Sequence, residues 1–156
     1  MSEELLYLPK VIFRKRAEVR AAIYGNEEHD ELTGEVLFYP FMAGSLLAVA
    51  VKNLPEDGFF GFHIHERGIC EGTFATVGGH YGTAGQSHPR HTGDLPVLMS
   101  GGGFAYMMVS TNRFRPEQVV GRSVVIHAMP DDYRSAPAGD MGMRIACGVI
   151  RRQQPV

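Results

Sequence analysis

Six of the seven histidines in this chain fall in three short clusters whose spacing suits metal coordination. The first is Gly61-Phe62-His63-Ile64-His65. On a β-strand, side chains two apart share a face, so His63 and His65 can reach one ion while Ile64 points away. The second runs from Gly79-His80-Tyr81 to His88-Pro89-Arg90-His91-Thr92-Gly93-Asp94. His88 to Asp94 offers two imidazoles and a carboxylate within seven residues, a donor set that suits zinc. The third is His127, which ends the apolar run Val124-Val125-Ile126 and can close a site begun elsewhere. His80 opens the second cluster, between His65 and His88 in sequence, and its two ring nitrogens can serve one metal each. His29, in the polar turn Gly25 to Asp30, fits none of this and is set aside.

Strands must position these groups. Residues 17–24 alternate charged and apolar side chains, and 34–40, 45–54, 61–66, 104–110, 121–128 and 144–150 follow as short runs bounded by Gly, Pro, Asn and Asp. That pattern predicts an antiparallel sandwich or barrel. Only Arg115 to Val119 suggests a helical turn. Residues 67–103 and 129–143 read as long loops, and loops of that length inside a domain are usually functional. The first of them carries most of the metal candidates.

At these residues the sequence resembles the copper/zinc superoxide dismutase family. The resemblance rests on Gly61 to Glu66 with Gly68 and Cys70, on Gly79-His80, and on His91 to Pro96. It continues in Gly121 to Ala128 with Asp131-Asp132, and in Gly142 to Ile150. The resemblance implies an all-β fold, an eight-stranded Greek-key sandwich closed as a flattened barrel with two long functional loops. It implies copper held by His63, His65, His80 and His127, and zinc held by His80, His88, His91 and Asp94, with His80 bridging. Asp131 matches the carboxylate that links His63 to His88 behind the metals. Arg144 matches the arginine beside copper. Cys70 and Cys147 match the family's intrasubunit disulfide, although two buried thiols would be the plain reading of a lone pair in a cytosolic protein. The implied activity is an antioxidant one, dismutation of superoxide, with Arg144 guiding the anion and His80 serving as ligand and proton carrier. The zinc histidines His88 and His91 lie close together, as in shorter bacterial forms, and residues 133–142 are shorter than the charged loop of the animal enzymes.

The alternative is a copper- or zinc-buffering protein on the same scaffold without significant turnover. The convergence of four imidazoles argues against a purely structural zinc protein, and Arg144 argues against storage, because an anion guide serves a substrate. Met107, Met108, Met141 and Met143 could suggest Cu(I) handling; the plainer expectation is that Met107 and Met108 pack a core and the other two line a loop.

With 156 residues, the chain has the length of one domain, expected over 17–156, after an N-terminal extension over 1–16 ending in the basic run Arg14-Lys15-Arg16. A net charge of -2 gives no reason to expect a nucleic-acid partner. No apolar stretch approaches the roughly 18 residues that span a bilayer, so no membrane association is expected. The acids Glu3 and Glu4 sit where a secretion signal would carry positive charge. The chain as it stands is therefore expected in the cytoplasm, or in the periplasm or outside the cell if a leader has been removed. The small anion superoxide is the expected partner of a monomer or homodimer.

Overall fold

The computed structural model describes residues 16–135, 139 and 141–154. The expected N-terminal extension, apart from Arg16, lies outside these residues, as does Asp140.

Nine strands form: β1 (Val19–Gly25), β2 (Thr33–Phe41), β3 (Gly44–Lys52), β4 (Gly58–Phe60), β5 (Phe62–His65), β6 (Leu98–Ser100), β7 (Ala105–Thr111), β8 (Ser123–His127) and β9 (Arg144–Arg152). Seven of them build one antiparallel sheet in the order β5-β8-β9-β1-β2-β3-β7, and β4 pairs with β6. The small pair joins the two edges of the large sheet. β4 runs into β5 through Gly61, and β6 runs into β7 through the turn closed by the Gly101–Phe104 bridge. The sheet therefore curls on itself, as expected of the fold class. The expected strand over 61–66 is β5, and the unanticipated β4 precedes it as a separate segment, because the Gly61 backbone leaves the ladder to bond Met129 O at 2.9 Å and His127 N at 2.8 Å. Counted as one interrupted strand, β4 and β5 reduce the nine segments to the expected eight. β6 falls inside the stretch expected to be a long loop; its three residues are too few to show a period.

Burial follows side-chain pattern. β1 alternates buried Val19, Ala21 and Ile23 with exposed Arg20 and Tyr24. β3 is apolar on both faces: Leu47, Val49 and Val51 enter the main core, while Leu46 and Ala48 join Ala17 and Tyr39 in a second cluster. Met107 packs against the main core and Met108 against the second cluster. Pro116–Val119 forms the helical turn as a 3-10 segment, started by Pro116 with Gln118 reaching back to the Arg115 amide.

The two long connections position the chemistry. Residues 66–97 contain only the 3-10 turn Ala75–Val77, and 128–143 contain no strand or helix among the described residues. Cys70, in the first connection, is disulfide-bonded to Cys147 on β9 across 77 positions of sequence. Phe74 and Val77 pack with Val125 and the two cysteines, so the start of the loop is fastened against β8 and β9.

Candidate metal centre

β5 pairs with β8 in the register His63↔Val125 and His65↔Ser123. Phe62 and Ile64 fill the core while both histidines are sealed from solvent, at 0% and 1% exposure. The alternation read from sequence is thus real, but the face carrying the histidines is covered. The loop provides that cover. Tyr81 N bonds Ile64 O at 2.8 Å, Ile64 N bonds Gly93 O at 2.9 Å, and Glu66 N bonds Gly79 O at 3.0 Å. These contacts set His80 beside His65 and Asp94 beside His63. Gly93 is required for this approach, since a Cβ there would collide with the Ile64 carbonyl. On β8 a register shift between Ile126 and His127 turns His127 toward the same cavity, opposite Arg144.

The ring nitrogens can be assigned from their partners. Asp131 accepts from His63 Nε2 and from His88 Nε2, each at 2.7 Å, which leaves the Nδ1 lone pair of both rings free. His65 Nδ1 donates to the Gly78 carbonyl at 2.9 Å, so its Nε2 is a bare acceptor facing His127 Nε2 at 3.2 Å. His80 Nδ1 lies 2.8 Å from Asp94 Oδ1, while His88 Nδ1 and His91 Nδ1 lie 3.3 and 3.1 Å from Asp94 Oδ2. Donors on one tetrahedral zinc, each about 2.0–2.1 Å from the ion, stand about 3.3 Å apart. The spacing around Asp94 is close to that.

His63 Nδ1, His80 Nε2, His88 Nδ1 and His91 Nδ1 are buried without a hydrogen-bond partner among the described residues, and so is His127 Nδ1, although the Gly142 backbone is near. Leaving such atoms unpaired costs about 1–3 kcal/mol each. A metal satisfies the first four directly. Two donor groups result, each with all its donor atoms within 4.8 Å of one another: His63, His80, His88 and Asp94, and separately His65, His80 and His127. His80 belongs to both. His63 stands with the Asp94 group by this measure, its ring stacked on His80 with centroids 4.2 Å apart, and its contact with His127 is an edge at 5.9 Å.

Electrostatics favour metal-ready protonation states. Burial lowers the pKa of His63, against the opposing hydrogen bond that it donates to Asp131. Burial likewise holds His65 well below its ordinary value and brings His127 down to about 3. All three are therefore neutral at neutral pH, the state in which imidazole binds metal. Burial pushes Asp94 and Asp131 upward, but hydrogen bonds from His80 and the His91 amide, and from His63, the Tyr133 amide and His88, bring both below the ordinary carboxylate value.

Arg144 donates to Phe74 O and to Gly78 O, both at 2.8 Å. The Gly78 carbonyl thus holds both the guanidinium and the His65 ring. Burial lowers the Arg144 pKa, yet a guanidinium stays charged near neutrality, and its charge adds to the depression of His65 and His127. The expected metal-site residues and Arg144 are thereby gathered in one region, and Cys70–Cys147 fastens the start of the same loop to β9. Two contributors were not anticipated: the Gly78 carbonyl, and Gly139, which packs against Asp131 and His88 at positive φ so that a side chain there would break into their hydrogen bond. A backbone carbonyl and a lone loop glycine leave no mark in spacing or periodicity. Met141 is buried and Met143 exposed on the loop side.

A curled antiparallel sheet with two buried donor groups that share one imidazole defines a binuclear metalloprotein. The family model for copper/zinc superoxide dismutase (SODC) matches residues 32–150, and the chain belongs to this family. Superoxide dismutase [Cu-Zn] 2 of Aquifex aeolicus is 34% identical over 162 residues, covering 94% of each chain. Superoxide dismutase [Cu-Zn] of Deinococcus radiodurans is 34% identical over 80% of each. That of Legionella pneumophila is 32% identical over 94% of this chain and 97% of its own. The solved clock protein EA4 superposes with a TM-score of 0.76 at 26% identity, over 89% of this chain and 97% of that one.

Proposed function

We propose that the chain dismutes superoxide to dioxygen and hydrogen peroxide at a copper site formed by His63 Nδ1, His65 Nε2, His80 Nε2 and His127 Nε2. His80 Nδ1, His88 Nδ1, His91 Nδ1 and Asp94 hold zinc. The observation that carries this reading is the sharing of His80 between two buried donor groups. Copper supplies a one-electron couple between Cu(II) and Cu(I), which zinc lacks.

The protein's own groups then do four things. The cover of residues 79–81 and 93–94 over β5 keeps water from the ligand rings. Asp131 fixes the tautomer of His63 and His88 together, so the two halves share one anchor. Arg144, held by two carbonyls, presents a positive charge beside His65 and His127 to an approaching anion. His80 Nε2, buried without a hydrogen-bond partner among the described residues, would hold copper and, whenever copper released it, would have its lone pair free to carry a proton, while its Nδ1 stays fixed on the Asp94 side. Among the described residues no helix is long and apolar enough to cross a membrane. The disulfide suits an oxidising compartment such as the periplasm or the cell exterior, and we read the assembly as a monomer or homodimer.

The test is metal-resolved. Apo protein should show no dismutation, copper plus zinc should restore it, and zinc alone should not. His127→Ala should lose activity to background with one equivalent of zinc retained. Activity near wild type in that variant would remove His127 from the copper site and leave metal buffering as the better reading.

A further inference from the structure

Beyond the donor groups, the loop that carries His88, His91 and Asp94 needs an anchor to the sheet. Its backbone between 87 and 94 is a series of tight turns, Arg90 N to Ser87 O at 2.6 Å and Asp94 N to His91 O at 3.2 Å. No strand or helix includes it. Three of its carbonyls turn toward a single cation. Arg113 Nη1 lies 3.3 Å from Pro89 O, 3.0 Å from His91 O and 3.4 Å from Asp94 O.

Arg113 stands on firm ground. It stands two residues past the end of β7, and its amide is held by Thr111 Oγ1 at 3.1 Å. The next residue, Phe114, is buried, lies tilted against Phe38 with ring centroids 6.5 Å apart, and accepts a hydrogen bond at its carbonyl from Ser45 Oγ at 2.8 Å. Among the described residues Arg113 makes no salt bridge, so the loop carbonyls are its polar partners. Three carbonyl oxygens converging without a cation would repel one another, and the turn that aims His91 Nδ1 and Asp94 at a common point would open.

We propose that Arg113 is a positioning residue for the zinc half of the site, a tethered surface cation that sets the 89–94 backbone before metal arrives. The inference rests on the reading that His88, His91 and Asp94 hold zinc. It concerns the backbone behind the ligands, whereas Asp131 acts on the rings. The functional consequence is selective: zinc affinity should depend on Arg113, and copper affinity measured without zinc should not.

Chelator competition on Arg113→Gln, Arg113→Lys and His91→Ala separates the possibilities. Arg113→Gln should raise the zinc dissociation constant about 10–100-fold, the usual range for residues that orient ligands, with copper affinity unchanged. Arg113→Lys, whose ammonium has three donors, should recover most of the zinc affinity. In the metal-free protein, amide exchange at His91 and Asp94 should quicken in Arg113→Gln while β5 and β8 keep their protection. Unchanged zinc affinity in Arg113→Gln, alongside a large loss in His91→Ala, would overturn the role of Arg113 and leave the zinc assignment standing. Unchanged zinc affinity in His91→Ala would remove the zinc assignment and this inference with it. Equal losses of copper and zinc, with a lower melting temperature of the apo protein, would make Arg113 a general structural residue and also overturn the proposal.

Discussion

The two halves of the metal centre are built differently. His63, His65 and His127 stand on β5 and β8, adjacent strands locked in register by the ladder and by core side chains on the opposite face. His80, His88, His91 and Asp94 stand on a connection whose order comes from scattered contacts: the disulfide, the Asp131 hydrogen bonds, the Arg113 carbonyl cluster and the bridges to β5. A strand fixes its ligands through the same hydrogen bonds that fold the protein. A loop has to be fixed one contact at a time, and each contact can be lost alone. The strand half should therefore be preformed without metal, and the loop half should depend on its fastenings.

The largest expected effect is that of the disulfide, the longest-range of those fastenings. Closing 77 positions of sequence contributes roughly 4–5 kcal/mol in the chain-entropy account. The Cys70→Ser/Cys147→Ser pair should lower the stability of the apo protein by about that amount in urea titration. Amide exchange should rise first over 67–97 and only later in β5 and β8. Loosening of both regions together would break the comparison.

Arg144 sharpens it from the other side, because this residue begins β9 yet hydrogen-bonds to the loop carbonyls of Phe74 and Gly78. Arg144→Ala should slow dismutation about ten-fold, ~1.4 kcal/mol of barrier, with copper content unchanged. Raising ionic strength should slow the wild type more than the variant. An unaltered rate and salt response would make Arg144 a strut between strand and loop, and direct attention to Arg90 and Arg134.

The smallest effect is a graded one with pH. His63, His65 and His127 bind protons less readily folded than unfolded, so the unfolded chain takes up more protons as pH falls below about 6.5. Stability of the apo protein should be fully present above that pH and decline progressively toward pH 3, the neighbourhood of folded His127. Asp94 and Asp131, also lowered in the fold, act in the same direction below the ordinary carboxylate range. Replacing His127 with Ala should flatten the upper part of that slope in denaturant titrations. A slope equal to the wild type's would mean that His127 contributes nothing to it.

Much of this was legible beforehand because its signals are local. Seven strand runs announced themselves by alternation or by continuous apolar residues, and the candidate donor side chains stood out by residue type and order. β4 and β6 did not, having three residues each. Their existence depends on pairing with each other across the space between two sheet edges, which no window of sequence contains.

Residue type and spacing determined that imidazoles would gather and that zinc and copper suit them, since donor chemistry belongs to the side chain and period to the chain. Only the tertiary structure decided which nitrogen faces which neighbour. His65 turns its Nδ1 to Gly78 and its Nε2 to His127; Asp131 holds two rings 25 positions apart; His63 stacks on His80 and stands with the Asp94 group. It also placed three carbonyls around Arg113. Ring orientation and carbonyl direction depend on partners distant in sequence, and every backbone carries the same carbonyl whatever its side chain. Such choices are made when the loop closes over β5.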